Sequence, residues 1–291
     1  MSPTLTYAVV TPVRDEEENL PRLAAAMVAQ EQAPLRWVIV DTGSTDGTIA
    51  LARALAREHP WIAVLELEGD AVQQRGGPIV RAFQLGAASL DPAPDVVVKL
   101  DADLSFAPDY FARLAAAFAV DPRLGLASGI CTELEDGEWR PIYGTRSHVW
   151  GASRAYRWAC LQQVQPLEER QGWDEIDAIK AQLRGWSAGT LFDVPFRHHR
   201  PEGARDGARR RWRDQGATAH YMGYRFSYLL ARTCYRALRE PAALAMLRGY
   251  ATATLRRQPQ CPDRSVRAHL RREQGLARLP RRVRESFGRA A

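Results

Sequence analysis

Two carboxylates, Asp101 and Asp103, stand one residue apart directly after the apolar run Val-Val-Val-Lys-Leu at 96–100. Such a run is typical of a strand buried on both faces, as in a parallel sheet, and functional groups gather where these strands end. Carboxylate oxygens suit Mg²⁺ or Mn²⁺, which would in turn hold the phosphates of a nucleotide. The alternative for so short a pattern is a pair of solvated aspartates in a turn.

Two other predicted strands also end in polar clusters, at 11–17 and 41–48. Because adjacent parallel strands end at one edge of a sheet, we expect all three clusters to form a nucleotide pocket. Asp41 is expected to accept a base N–H or a ribose hydroxyl; its alternative role is to cap the turn that follows. Arg14 and Arg75 are candidates to neutralise phosphate, and each is otherwise a solvated surface cation.

Strands and helices alternate along the first two thirds of the chain, which predicts an α/β fold with a doubly wound, mostly parallel sheet. The predicted strands are 7–10, 37–40, 61–67, 96–100, 124–130 and 190–196. The predicted helices comprise one that opens at 16–20, one that ends at 57, and five at 78–90, 108–120, 173–184, 218–239 and 241–255. The stretch 131–170 is irregular, and we interpret it as strands and loops that form an acceptor-side wall.

Charge divides the chain into two parts. Residues 197–291 hold 23 arginines, no lysine and seven acidic residues, which gives this part a net charge of +16. Because the whole chain has a net charge of +6, residues 1–196 have a net charge of −10. We therefore predict a catalytic domain at 1–200 and a basic, mainly helical extension at 201–291. Such a tail fits an anionic partner, namely membrane headgroups, nucleic acid or an acidic protein, or else arginines that decorate exposed helices.

The segment 218–239 mixes aromatic and aliphatic residues with arginines. A basic amphipathic helix of this kind lies on a membrane surface, packs its apolar face on the catalytic body, or forms a homodimer. Residues beyond about 258 are polar, basic and punctuated by proline, which predicts partial disorder.

Composition is that of an ordinary soluble protein, with 46% apolar and 25% charged residues. We expect neither a signal peptide nor a membrane-spanning helix, since no basic and apolar leader and no 18-residue apolar window is present. The four scattered cysteines form no C-x-x-C pair, which fits a reducing cytoplasm. The expected location is cytoplasmic, with peripheral contact at the inner face of the cell membrane.

Four motifs, at 10–20, 40–48, 100–103 and 172–177, together resemble those of inverting family 2 glycosyltransferases of the GT-A fold. They stand in the family's order and at plausible spacing, and the resemblance covers roughly residues 7–200. The basic tail lies outside it.

The resemblance implies a metal-dependent, inverting glycosyltransferase that uses Mn²⁺ or Mg²⁺ and a nucleotide-sugar donor, usually a UDP- or GDP-sugar. The acceptor is then a hydroxyl of a glycan or lipid-linked intermediate of envelope or exopolysaccharide synthesis. Asp101 is placed near the ribose or metal and Asp103 on the metal. With the candidates from the strand ends, the expected donor site comprises Thr11, Pro12, Arg14, Glu17, Asp41, Arg75 and Asp101.

The acidic pair Asp174 and Glu175 opens the predicted helix at 173–184 and matches the family's Glu-Asp pair, whose second acid is the catalytic base. The order here is reversed, and we favour Glu175 over Asp174 as the base. The alternative is that both acids stabilise a helix N-terminus. Either His198 or His199 is a candidate metal ligand or phosphate donor; otherwise the pair is a polar strand end.

Three other hypotheses are weaker. A sugar-phosphate nucleotidyltransferase would carry a glycine-rich, lysine-containing phosphate loop near the N-terminus, where residues 11–20 are acidic. Neither a P-loop nor a G-x-G-x-x-G turn is present. The second hypothesis is a non-enzymatic protein that binds nucleic acid through its arginines, although no nucleic-acid partner is expected. The intact Asp103 and acidic pair disfavour a pseudo-transferase.

Overall fold

The computed structural model describes residues 5–67, 76–142, 147–200 and 207–275. The chain divides into two compact units, Met1–Arg200 and Pro201–Ala291. Every described strand lies in the first unit, whereas the described part of the second unit is helical.

The first unit contains nine strands and six helices among its described residues. The strands are β1 (Tyr7–Val13), β2 (Arg36–Asp41), β3 (Ile62–Glu66), β4 (Val96–Leu100), β5 (Leu104–Phe106), β6 (Leu124–Glu135), β7 (Glu138–Pro141), β8 (Ser153–Arg157) and β9 (Ser187–His198). The helices are α1 (Leu20–Val28), α2 (Thr48–Glu58), α3 (Gly77–Ala88), α4 (Tyr110–Val120), α5 (Trp158–Val164) and α6 (Trp173–Leu183).

The strands form one sheet in the order β3-β2-β1-β4-β8-β6-β9-β5, with β7 paired to β6. Strands β1 to β4 pair in parallel, and β8 runs antiparallel between β4 and β6. Strand β6 pairs in parallel with β9. The predicted α/β class with a mostly parallel sheet is therefore confirmed.

The central strands are apolar without interruption because both faces of the sheet are covered. Along β4, Val96 and Val98 belong to one core cluster, which includes residues of α1 and α4. Val97 points to the other cluster, which includes residues of α3, α5 and α6. Side chains in a strand alternate between faces, so an apolar residue is needed at every position.

The structure corrects one predicted boundary near the N-terminus and narrows another. Strand β1 continues to Val13, because its parallel pairing with β2 runs on to Val13 and Asp41. Helix α1 begins at Leu20, the last residue of the stretch predicted to open it. The backbone N–H groups of Glu16 and Glu17, just before the helix, donate to Thr48 Oγ1 and Asp46 Oδ2.

The stretch 131–170 has more regular structure than its sequence predicted. Strand β6 runs on to Glu135 and turns into β7 through Asp136 and Gly137, with φ of 52° and 82°. Positive φ at both central residues is the condition for a type I′ hairpin turn. Helix α5 was not predicted; it is short, and only its Cys160, Leu161 and Val164 are buried.

The second unit contains four described α-helices and one 3₁₀ turn. They are α7 (Ala208–Tyr221), α8 (Phe226–Ala237), the 3₁₀ turn Pro241–Leu244, α9 (Ala245–Leu255) and α10 (Arg264–Glu273). Helices α7 and α9 approach so closely that a Cβ on Gly216 would lie 1.9 Å from the carbonyl oxygen of Met246. Within the described ranges, no helix is both long and apolar enough to cross a bilayer.

One prediction about this unit was wrong. The helix predicted at 218–239 is interrupted, and Gly223 takes a φ of 73° between α7 and α8. Within the stretch predicted to be partly disordered, residues 264–273 form helix α10, and the Asp263 side chain caps it by accepting the amides of Ser265 and Val266. Residues 276–291, also predicted to be partly disordered, lie outside the described ranges.

A buried ion pair joins β8 to α6. The guanidinium of Arg154 donates to both carboxylate oxygens of Asp177, at 3.1 and 2.5 Å, and both side chains are 1% exposed. Two further guanidinium N–H groups donate to the carbonyl oxygens of Val149 and Asp174. Desolvation raises the pKa of Asp177 to about 6, against the opposing charge of Arg154.

We expect Arg154→Ala to lower the free energy of unfolding by about 3–5 kcal/mol, because Asp177 would be left buried without its counter-charge. Urea unfolding followed by tryptophan fluorescence measures this. Arg53→Ala is the matched control, since it breaks the exposed Arg53–Glu66 pair and should cost about 1 kcal/mol or less. A loss from Arg154→Ala as small as that of the control would contradict a structural role for the pair.

Candidate functional site

Three polar clusters meet at the edge of the sheet where β1, β2 and β4 end. Strand β1 pairs with both β2 and β4, so the loops after these strands are neighbours. The β4 cluster holds Asp101 and Asp103, the β1 cluster lies at 14–17, and the β2 cluster runs from Asp41 to Gly47. The structure thus brings together the three clusters that the sequence predicted at one edge.

Arg200 connects the β1 loop to the β4 carboxylates. Its guanidinium donates to both oxygens of Glu16, at 3.0 and 2.6 Å, and its Nε lies 3.8 Å from Asp103 Oδ2. Sequence reasoning assigned no role to either Arg200 or Glu16. Their separation of 184 residues hides the pair, and the only local signal was the Arg-His-His-Arg run that ends β9.

Asp103 is buried and lies between two cationic side chains. Its Oδ1 is 3.5 Å from His198 Nε2, and its Oδ2 faces Arg200. Although desolvation opposes them, His198 and Arg200 hold the pKa of Asp103 below its ordinary value. Asp103 is therefore an anion at neutral pH.

Asp101 is paired with the buried Lys99, whose Nζ donates to it and also to the carbonyl oxygen of Gly151, at 2.9 Å. Desolvation raises the pKa of Asp101, as does the neighbouring Asp103, while Lys99 opposes the shift. Sequence reasoning gave Lys99 no role. The signal for it was a single charged residue within an otherwise apolar strand.

The β1 and β2 loops hold each other in place. Asp41 accepts the amides of Gly43 and Ser44, at 3.0 and 3.1 Å, which is the turn-capping role weighed above. Glu17 accepts the amide of Gly47 at 2.9 Å, and a Cβ on Gly47 would lie 2.5 Å from that carboxylate. Both acids therefore shape the loop that follows β2.

The other predicted donor-site residues lie in different surroundings. Thr11 is fully buried, and its hydroxyl accepts the indole N–H of Trp37 at 2.9 Å, so we leave it out of the proposed site. Pro12 and Arg14 are half-buried at the end of β1. Arg75 lies outside the described residues.

The acidic pair occupies the first turn of α6, where the sequence placed it. Asp174 is half-buried, and its Oδ2 lies 3.5 Å from where a Cβ on Gly151 would stand. Gly151 is the residue whose carbonyl oxygen accepts from Lys99, the partner of Asp101. Glu175 is exposed. The geometry thus links Asp174 to the Asp101 cluster.

His198, which ends β9, and His199, which follows it, have different surroundings. His198 directs Nε2 to Asp103 and Nδ1 to Glu133, 3.3 Å away, and despite desolvation its hydrogen bond to Asp103 raises its pKa to about 10. The ring of His199 bonds Ser105 Oγ at 2.7 Å and meets the Trp139 ring edge-on. Of the two, His198 is the one that faces the carboxylates.

The donor types suit a hard divalent cation. Asp103 Oδ1 lies 3.5 Å from His198 Nε2, Asp101 stands one residue away along the chain, and the side chains of Asp101, Asp103 and His198 are 30%, 11% and 13% exposed. Oxygen ligands with one imidazole are typical of Mn²⁺ and, less often, Mg²⁺ sites. The residue types therefore fit the metal that the sequence implied, and Asp101 has to approach the other two ligands for all three to hold one ion.

Comparison with known sequences gives a family match over most of the chain. The family described as "Glycosyl transferase family 2" matches residues 8–231, which extends beyond the 7–200 covered by the motifs. A polyprenol monophosphomannose synthase of Mycolicibacterium smegmatis is 36% identical over 128 residues. That match spans 44% of this chain and only 45% of the relative's length.

Solved structures share the fold at low sequence identity. The mannosyltransferase PcManGT from Pyrobaculum calidifontis, in complex with GDP-Man and Mn²⁺, is 21% identical with a TM-score of 0.59 over 97% of this chain and 84% of that chain. S. aureus TarS in complex with UDP-GlcNAc is 18% identical with a TM-score of 0.56 over 74% of this chain and 66% of that chain.

Proposed function

Because the chain belongs to glycosyltransferase family 2, we propose that it transfers mannose, with inversion, from a guanosine-diphosphate sugar to a lipid-linked acceptor. The family and the GT-A fold expected from the sequence are both confirmed, and the protein is a transferase. The observation that carries the finer proposal is the position of Asp103, one residue after Asp101 at the end of β4 and 3.5 Å from His198. The choice of mannose is supported by the similarity to a polyprenol monophosphomannose synthase and to the mannosyltransferase PcManGT.

In this proposal Asp101, Asp103 and His198 hold Mn²⁺ or Mg²⁺, with Asp101 also near the ribose. A bound cation offsets the charge that develops on the leaving diphosphate. The donor is further contacted by Pro12, Arg14, Glu17, Asp41 and, as predicted from the sequence, Arg75. Arg200 and Lys99 hold the two aspartates in place, so that the ligand oxygens are oriented before the donor binds.

The donor proposal predicts that GDP binds with micromolar affinity only when Mn²⁺ is present, and more tightly than UDP. Asp103→Asn should weaken metal-dependent GDP binding by about 100-fold, the loss of a charged ligand interaction of about 3 kcal/mol. Calorimetric titration measures both.

Asp193→Asn is the control for this titration, because Asp193 is an exposed acid paired with Arg113 and its neutralisation should leave GDP binding unchanged. Absence of GDP and UDP binding to the folded protein would overturn the donor proposal. Binding of GDP without a metal ion would contradict the proposed role of Asp101 and Asp103 as ligands of a donor-site cation.

An acceptor hydroxyl needs a carboxylate that takes its proton as it attacks the anomeric carbon. We propose Asp174 for this step, because it is half-buried and linked through Gly151 and Lys99 to Asp101, whereas Glu175 is exposed. Arg154 fixes the backbone of Asp174 by donating to its carbonyl oxygen at 2.7 Å. A lipid phosphate acceptor, with a second pKa of about 6, is already ionised and needs no base.

With a hydroxyl acceptor, Asp174→Asn should lower kcat by about 10²–10⁴-fold and leave GDP affinity unchanged. Glu175→Gln, the matched control on the same turn, should stay near the wild-type rate. With a polyprenyl phosphate acceptor, both variants should retain most activity. Steady-state assays with the two acceptor types separate these cases, and loss of activity in Glu175→Gln alone would make Glu175 the base.

Helix α8 carries an exposed apolar stripe suited to an anionic membrane surface. Phe226, Leu230 and Leu238, the last of them the residue that caps the C-terminus of α8, are spaced by multiples of four residues and are 56%, 41% and 84% exposed; Cys234 lies between the last two. The exposed arginines that flank the stripe are Arg225, Arg236 and Arg239. An apolar face rimmed by cations lies in the headgroup region of a membrane, and we propose that α8 brings the enzyme to its lipid-linked acceptor there.

The full chain should therefore cosediment with vesicles rich in phosphatidylglycerol and much less with phosphatidylcholine vesicles. Leu230→Glu should reduce the binding constant by about tenfold or more, since a buried leucine contributes about 1.5–3 kcal/mol. Val120→Glu, on the exposed surface of α4, adds the same charge elsewhere and should have little effect. If sedimentation equilibrium shows a dimer that Leu230→Glu dissociates, the stripe is a dimer interface and the membrane proposal fails.

A further inference from the structure

A second set of metal-ligating side chains lies next to the proposed donor site. Among the residues that the structure describes, Cys131, Glu133 and His198 are the one group of three whose ligand atoms all lie within 4.8 Å of one another. Cys131 and Glu133 belong to β6 and His198 ends β9. Neither Cys131 nor Glu133 has a role in the transfer reaction proposed above.

The pairing of β6 with β9 produces this arrangement. Glu133 stands opposite His198 in the parallel ladder, and Cys131 stands opposite Phe196. Residues two apart on a strand point to the same face of the sheet. Glu133 and His198 therefore lie on the same face as Cys131 and Phe196, which belong to the hydrophobic core. The thiol is therefore buried, while the carboxylate and imidazole are 23% and 13% exposed and give a cation access.

The donor types favour a thiophilic cation. Thiolate, imidazole and carboxylate together are a typical Zn²⁺ set, whereas Mg²⁺ prefers oxygen ligands alone. Bond lengths of about 2.0–2.3 Å place tetrahedral Zn²⁺ ligands roughly 3.3–3.8 Å apart. His198 Nδ1 and Glu133 Oε1 are already 3.3 Å apart, so only small side-chain movements are needed for the set to close on one ion.

The second ring nitrogen of His198, Nε2, has the kind of partner that metal-binding histidines usually have. His198 Nε2 faces Asp103 Oδ1 at 3.5 Å while Nδ1 faces Glu133. Histidines that bind metals through one nitrogen usually donate the other N–H to a carboxylate, which fixes the tautomer and strengthens the ligand.

We propose that Cys131, Glu133 and His198 bind one thiophilic divalent cation of the Zn²⁺ type, with Asp103 as the carboxylate behind the imidazole. The thiol and the Nδ1–H of the protonated His198 ring each lose a proton to the solvent when the cation binds, and Nε2 keeps its N–H toward Asp103. Because His198 is then withdrawn from the donor metal, Zn²⁺ should antagonise Mn²⁺-dependent GDP binding. This last consequence rests on the proposed function, whereas the cation site itself does not.

The test is a Co²⁺ titration of the full chain, reduced with a phosphine. One equivalent of Co²⁺ should produce a near-ultraviolet thiolate-to-cobalt charge-transfer band, and Zn²⁺ should displace it. Cys131→Ser should abolish the band and weaken Zn²⁺ binding at least tenfold, and Glu133→Gln should weaken it at least tenfold. Cys234→Ser, which removes the exposed thiol of α8, should leave both unchanged.

A band that survives Cys131→Ser, or saturable Co²⁺ binding without any band, would overturn the cation site. Unchanged unfolding temperatures of the serine variants exclude misfolding as the cause. Mn²⁺-dependent GDP binding, measured on the same samples, separates the two proposals. If the charge-transfer band appears but GDP does not bind, the cation site is supported and the donor proposal is refuted. If GDP binds but no band appears, the donor proposal is supported and the cation site is refuted.

Discussion

The arrangement of the site depends on one buried interaction, the ion pair of Arg154 with Asp177. It fixes β8 against the start of α6, and a further guanidinium N–H holds the carbonyl oxygen of Asp174. A buried pair gains little net stability, because desolvation offsets most of the attraction, but the loss of one partner is costly. We infer that this pair serves to orient the acidic turn relative to β4, which is hydrogen-bonded to β8.

The two aspartates after β4 differ in charge behaviour although one residue separates them. The pKa of Asp101 is raised, by desolvation above all, and that of Asp103 is lowered by His198 and Arg200. The partner of Asp101 is the nearby Lys99 on β4, whereas the partners of Asp103 come from the distant end of β9. Positive side chains thus surround an acidic edge that would otherwise repel a diphosphate, and bound cations complete that neutralisation in the proposed reaction.

The two units divide the proposed work by charge and exposure. The first unit buries its apolar residues on both faces of the sheet and keeps polar groups at the strand ends. The second unit leaves an apolar stripe and several arginines of α8 exposed. In the proposed reaction, the first feature serves the chemistry and the second brings the enzyme to a lipid-linked acceptor.

Local patterns in the sequence determined much of the fold. The uninterrupted apolar run at 96–100 predicts a strand buried on both faces, and the helical spacing after Trp173 predicts α6 with its acidic first turn. Both elements form as expected, with Asp101 and Asp103 after β4 and with Asp174 and Glu175 opening α6. These features were accessible because burial periodicity and strand ends are encoded by neighbouring residues.

Only the tertiary structure decided which side chains meet. The order of strands in the sheet pairs Glu133 with His198 and brings Arg200 to Glu16, and no local spacing encodes either contact. The same long-range packing turns Thr11 into a core residue bonded to Trp37. It also ties the segment before α1 to the loop after β2, because Thr48 and Asp46 accept the amides of Glu16 and Glu17. Periodicity specifies which face of an element is buried, whereas the partner on that face is selected by how all the elements pack together.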